Sequence, residues 1–171
     1  HMNTYGYERN TTPWLTAQKE NKNFLLFDHA FSCHTHTVPV LTYALTAKNQ
    51  YNNQLLENAV SIIEMAQSAR YKTVWLSNQV RYGAWDTPIS VIASEADQQI
   101  WMNRNIGETT RTNCYDGVLA EKLKSLSYTD KMLIVIHLMG NHGVYADRYP
   151  LSFEQFHGKG KRVDSYDNSI L

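Results

Sequence analysis

The stretch DKMLIVIHLMGNHG (130–143) constrains the fold more than any other: a continuous run from Met132 to Leu138 that breaks at Gly140. It shows no alternation of apolar and polar residues, so it reads as a strand of the fully buried type, the habit of parallel sheets. KTVWLSNQ (72–79) is a second β-branched and aromatic run that ends in polar residues. NFLLFDHAF (23–31) is a third short apolar run, read as a strand ending at a polar turn.

Helical patterns separate these runs. In NQLLENAVSIIEMAQSARY (53–71), Leu55, Leu56, Ala59, Ile62, Ile63 and Ala66 recur at helical intervals, with Glu57 and Glu64 off the stripe. YDGVLAEKLKSL (115–126) is amphipathic, with Asp116 near its start and lysines near its end, which suits the helix dipole. THTVPVLTYALT (35–46) fits a helix whose first turns hold Thr37 and Pro39, because a proline without an N–H belongs in the first turn. In NTTPWL (10–15), Thr11 or Thr12 is a candidate N-cap before Pro13. SVIASEADQQIWM (90–102) reads as a short strand followed by a turn or helix. The alternation predicts an α/β layered domain: a largely parallel sheet with helices on both faces.

Composition narrows the function. With 171 residues, 43% hydrophobic and 19% charged, the chain is long enough for one domain with a real core. Basic and acidic residues number 16 each, so there is no cationic excess to drive counterion release from nucleic acid. HGKGKR (157–162) is the basic stretch, and it reads as a solvated loop. No run approaches the length of a membrane span. Cys33 and Cys114 are too few for a disulfide framework or a C-x-x-C zinc site. Whether they form one bridge stays open. His1-Met2 reads as a cloning scar, leaving 3–171 as the domain.

The polar clusters fall where chemistry collects in parallel sheets, in loops beyond the carboxyl ends of strands. SCHTHT (32–37) follows one run, SNQ (77–79) the next and MGNHG (139–143) the third. Thr37 lies at a helix start, where open backbone N–H groups favour an oxyanion or phosphate; the plainer reading of Thr35 or Thr37 is a helix cap. His34 and His36, two residues apart, do not share a helix face and make a weak zinc motif. His142 sits in a loop between Asn141 and Gly143, as a binding group or a solvated side chain. His137 lies within its strand run as a core or supporting histidine. Asn78 and Gln79 would bind an anion or cap the next segment. GAWD (83–86) suits a pocket, an interface or core packing.

Five blocks together carry a family likeness: YGYERNTTPWL (5–15), FDHAFSCHTHTVPVL (27–41), TVWLSNQ (73–79), HLMGNHGVYADRYP (137–150) and YDNSI (166–170). In order and spacing the chain resembles the phosphoethanolamine transferases of the alkaline phosphatase/sulfatase superfamily. The resemblance implies an inner-membrane enzyme of a Gram-negative bacterium with its catalytic domain in the periplasm. Such enzymes move phosphoethanolamine from phosphatidylethanolamine onto a zinc-activated threonine, then to lipid A or another glycan. It places that nucleophile and zinc ligand on Thr37, the phosphate-contacting histidine on His142, and the headgroup contact on Asn78 or Gln79. His34 and His36 stand where the family has small residues. The family's glycine-glutamate-serine-x-x-arginine and aspartate-histidine-glycine-glutamate blocks, which supply the other zinc ligands, have no counterpart here. The expectation is therefore a fold incomplete at both ends, with Thr37 the one zinc ligand carried over. The isolated chain is then inactive, and an unpaired sheet edge gives a route to oligomers. A sulfatase or phosphodiesterase of the same superfamily, or a non-catalytic binding domain, are the alternative readings.

Overall fold

A computed structural model describes residues 1–82, 87–103 and 114–171; the GAWD stretch falls outside them. In chain order the elements are α1 (Pro13–Ala17), α2 (Thr37–Leu45), α3 (Ile62–Ser68), β1 (Lys72–Ser77), α4 (Thr87–Ser94), β2 (Gln98–Trp101), α5 (Gly117–Lys124), β3 (Met132–His137) and α6 (Lys161–Ile170). They divide into two units, His1–Phe31 with Gly140–Leu171, and Ser32–Met139.

The Ser32–Met139 unit is built on a parallel sheet of order β2-β1-β3. Trp75 lies opposite Gln99 on one side and Val135 on the other. β1 is buried on both faces: Val74, Trp75 and Leu76 are all at 1% exposure or less. The Trp75 face packs on Ile63 of α3 and on Ile89, Ile92 and Ala93 of α4, with Val38, Leu41 and Leu45 of α2 closing over them. The layered α/β fold with a parallel sheet is thus present, and β1 and β3 stand close to where their sequences place them.

Three expectations need correction. Residues 23–31 form no strand: Leu25, Phe27 and Phe31 are 84%, 69% and 86% exposed, and the segment joins no ladder among the described residues. A strand needs a hydrogen-bonded neighbour as well as apolar side chains. The helix expected over 53–71 begins only at Ile62, because Ser61 and Glu64 form a capping box. The Ser61 hydroxyl accepts from the Glu64 N–H at 3.1 Å, and the Glu64 carboxylate accepts from the Ser61 N–H at 3.0 Å. In 90–102 the order is reversed, with α4 first and β2 after it. Ile89, Ile92, Ala93 and Ala96 are the buried stripe of that segment, at helical spacing. Asp97 then ties the start of β2 to β1 by accepting from the Thr73 N–H at 2.8 Å and hydroxyl at 2.9 Å. These bonds, led by the Thr73 backbone, hold the Asp97 carboxyl below the usual range.

The other unit is held by polar groups. Asp167 of α6 is fully buried and accepts from the Arg9 guanidinium at 2.7 Å and the Tyr7 hydroxyl at 2.8 Å. Arg9 also reaches Asp164 at 2.7 Å and donates to the His157 carbonyl at 3.0 Å. Burial opposes the Asp164 carboxylate, but bonds from Arg9 and the Lys159 and Gly158 backbones outweigh it and hold its pKa low. Asn168 accepts from the Gln155 and Phe156 N–H groups, each at 2.8 Å. Thr12 is the N-cap residue of α1, before Pro13, but makes no cap bond, since its hydroxyl accepts from the Thr4 N–H at 3.0 Å. His1, set aside above, stacks on Tyr7 at 4.5 Å and contacts Asp167 at 2.7 Å.

Candidate active site

Thr37 is the first residue of α2 and is exposed. The segment before it is shaped by its own polar groups. The Ser32 hydroxyl donates to the His34 carbonyl at 2.6 Å, and the His36 N–H donates to His34 Nδ1 at 3.1 Å. The Thr35 hydroxyl lies 3.1 Å from His36 Nδ1. These bonds spend Ser32, Thr35, His34 and His36 on the turn itself. His36 is extended and occupies the N-cap position, yet its side chain makes no cap bond. Among the described residues the Thr37 hydroxyl has no hydrogen-bond partner. The hydroxyl is therefore open, beside uncapped helical N–H groups, and Thr37 is not the cap of its own helix.

Asn78 and Gln79 leave the carboxyl end of β1. The sheet order reverses direction at this strand, a topological switch point, where α/β sheets receive ligands. Asn78 is fully buried; its amide donates to the Cys114 carbonyl at 3.1 Å and to Asp116 at 2.8 Å, and its Oδ1 accepts from the Cys114 thiol at 3.2 Å. Gln79 is 7% exposed and donates to the Leu138 carbonyl at 3.0 Å. The Gln79 amide thus ties the end of β1 to the residue after β3, and the Asn78 amide ties it to the segment that leads into α5. Asp116 accepts also from the Met139 N–H at 2.9 Å. Its sequence position suggested a helix-dipole role alone, and no local signal announced this node. Burial drives the His137 pKa down to about 4 against the pull of Asp116; its ring meets Trp75 edge-on at 5.7 Å.

His142 is exposed and belongs to the other unit. The loop that carries it is pinned on either side: Asn141 donates to the Ser169 hydroxyl at 2.6 Å, and Arg148 donates to the Gly143 carbonyl at 3.3 Å. Val144, just beyond, has φ 55°, a left-handed backbone that a β-branched residue rarely adopts. So the backbone is constrained while the imidazole is left outside. No hydrogen bond among the described residues joins Thr37 to Asn78 or Gln79.

The donor set does not fit a complete zinc centre. Among the described residues, no three His, Cys, Asp or Glu side chains stand together as ligands. Cys33 and Cys114 are both thiols. No helix among the described residues is long and apolar enough to cross a membrane.

Comparison with known proteins shows the family of the chain. The Sulfatase family model matches residues 1–171. Phosphoethanolamine transferase EptC of Escherichia coli (strain K12) is 33% identical over 99% of this chain and 32% of its own length. Kdo(2)-lipid A phosphoethanolamine 7''-transferase of Salmonella typhimurium is 27% identical over 99% of this chain and 31% of its own. The crystal structure of the C-terminal periplasmic domain of EcEptC from Escherichia coli, in complex with Zn, superposes with a TM-score of 0.85 at 31% identity. That match covers 99% of this chain and 51% of the crystallised one. The chain spans about a third of the length of the curated relatives it matches. Its match from end to end, on a shared parallel-sheet fold, places the chain in the sulfatase family, and its relatives there are phosphoethanolamine transferases.

Proposed function

We propose that these residues are part of the catalytic domain of a phosphoethanolamine transferase, anchored in the inner membrane of a Gram-negative bacterium and facing the periplasm. The observation that carries this reading is the exposed, unpartnered Thr37 hydroxyl at the start of α2. The donor is phosphatidylethanolamine, and the acceptor is lipid A or another envelope glycan.

In the first half-reaction Thr37 Oγ attacks the donor phosphorus. The new P–O bond forms as the bond to diacylglycerol breaks, and the threonine proton goes to the leaving alkoxide. The first N–H groups of α2 face the charge that develops on the phosphoryl oxygens. In the second half an acceptor hydroxyl oxygen attacks the same phosphorus, the Thr37 Oγ–P bond breaks as the new P–O bond forms, and the acceptor's proton goes to Thr37. His142 holds phosphoryl oxygens, and Asn78 and Gln79 receive the donor headgroup. For Asn78 this means trading its bonds to Cys114 and Asp116.

Zinc belongs to this reading in the longer protein, where beside Thr37 it would lower the hydroxyl pKa and neutralise charge. Thr37 is the ligand this chain contributes, and its described residues supply no complete set. The chain alone is therefore inactive as a transferase. Self-association follows from the same reading, since β2 and β3 each pair on one side only among the described residues.

Incubating the isolated chain with zinc and fluorescent phosphatidylethanolamine should add no mass to Thr37; a stoichiometric gain would overturn the inactivity. In the longer protein, Thr37→Ala should lower transfer about a thousandfold or more. Transfer at the wild-type rate would end the catalytic reading.

A further inference from the structure

Near the His142 loop, within the same unit, the surface folds into an open hollow of about 490 Å³. Gly143, Val144 and Tyr145 form one wall, and Lys161, Arg162 and Ser165 of α6 form the other. Lys161 and Ser165 are four residues apart and Arg162 and Ser165 three, so all lie along one helical face. Both cations are exposed, and among the described residues neither has an ion-pair partner. The two carboxylates on the same helix are engaged elsewhere, Asp164 with Arg9 and the Lys159 backbone and Asp167 with Arg9 and Tyr7. Lys159 itself, in the same basic stretch, is paired with Glu8.

Two adjacent uncompensated cations set a strong preference for an anion. The guanidinium offers a planar fork of donors, the ammonium a point charge and the Ser165 hydroxyl a further donor, a set that matches phosphate oxygens. The opposite wall is apolar. Val144 is 56% exposed despite its left-handed backbone, and Tyr145 is held edge-on against Tyr166 at 4.8 Å. A backbone held in a sparsely populated region to present an apolar side chain marks a place where contact matters. The ligand that suits both walls is a phosphate on a body with apolar faces, such as the ring of a sugar.

We propose that this hollow is an acceptor subsite, in which Lys161 and Arg162 hold a phosphate carried by the saccharide head of the acceptor. It rests on the transferase reading and adds to it the place on this chain, the hollow between the Gly143–Tyr145 loop and α6, where the acceptor's phosphate is held. It also gives HGKGKR a role beyond that of a solvated loop.

Binding can be read on the chain itself, without turnover. Phosphatidylcholine vesicles containing lipid A are compared with vesicles of equal surface charge containing phosphatidylglycerol, at fixed ionic strength. The wild-type chain should favour the lipid A vesicles. Lys161→Gln with Arg162→Gln should weaken that binding about tenfold or more, as expected for losing charge-assisted hydrogen bonds. Lys159→Gln removes the same kind of charge from a paired residue and should stay within about twofold of wild type. The proposal is overturned if the double variant binds like wild type, if lipid A and phosphatidylglycerol vesicles bind equally, if the wild type binds neither, or if Lys159→Gln loses as much as the double variant. Thr37→Ala should bind like wild type. A failure of the transferase reading would show instead as transfer surviving that substitution in the longer protein.

Discussion

The two units solve the same stability problem by different chemistry. In Ser32–Met139, Trp75, Leu76, Ile63 and Ile92 are buried to 1% exposure or less around a parallel sheet. In the unit of His1–Phe31 and Gly140–Leu171, buried Asp167 gathers Arg9 and Tyr7 from positions 158 and 160 residues away. An apolar core tolerates exchange of similar volumes and asks mainly for the right period. A buried ionic cluster asks for identity, because removing one partner strands the others without solvent. Tyr7 and Arg9 of YGYERNTTPWL and Asp167 and Asn168 of YDNSI, two of the five blocks that carry the family likeness, are this cluster and its neighbours.

The sharpest way to break this contrast is Asp167→Ala. It leaves the Arg9 cation and Tyr7 hydroxyl without their shared acceptor, so urea unfolding should register a loss of about 3–5 kcal/mol. A cost under about 1 kcal/mol would mean that the cluster is ornamental and the units are alike.

Acid should separate the units next. His137 has a folded pKa of about 4 against 6.5 when unfolded, so the unfolded chain binds the extra proton between those values. Stability from its neutral form is fully present above pH 6.5 and drains away as pH falls toward about 4, to a total of up to about 3 kcal/mol. His137→Gln should flatten that window. Asp164, whose pKa is depressed, contributes stability that persists through it and is lost only as pH falls through its own lowered value. Melting temperatures recorded across this range test the order; a profile unchanged by His137→Gln contradicts it.

The smallest effect belongs to the apolar unit. Ile92→Val should cost about 1 kcal/mol in the same urea measurement, well below the Asp167 change although Ile92 is equally hidden. A cost matching that of Asp167→Ala would erase the distinction.

The same contrast explains what could be read in the sequence. β1 was legible because a strand buried on both faces needs a continuous apolar run, and TVWL supplies it; MLIVI marked β3 by the same continuity, although β3 is only partly covered and Ile136 is 43% exposed. α2 was legible from Pro39, which admits only a first-turn position. The run at 23–31 misled because Leu25 and Phe27 look like a strand core while pairing depends on a neighbour that no local pattern encodes. The stripe at 53–71 misled because Leu55, Leu56 and Ala59 continue the helical spacing through a turn, whereas Ser61 and Glu64 restart the chain. Those two residues spell a capping box and could have been read as the true start. For the site, the crowding of Ser32 to Thr37 drew attention to an exposed helix start, and Thr37 is found there. Asn78 could not be resolved the same way. Its bond to Asp116 spans 38 residues, and no spacing rule predicts which distant carboxylate a buried amide will meet.

One measurement goes furthest toward the role assigned to Thr37. A full-length protein carrying this chain, membrane-anchored on the proposed reading, is mixed with phosphatidylethanolamine in the absence of acceptor, quenched in acid and digested for peptide mass analysis. The peptide bearing Thr37 should carry a phosphoethanolamine group, which disappears when acceptor is added. An unmodified Thr37 beside a modified residue elsewhere would contradict the assignment.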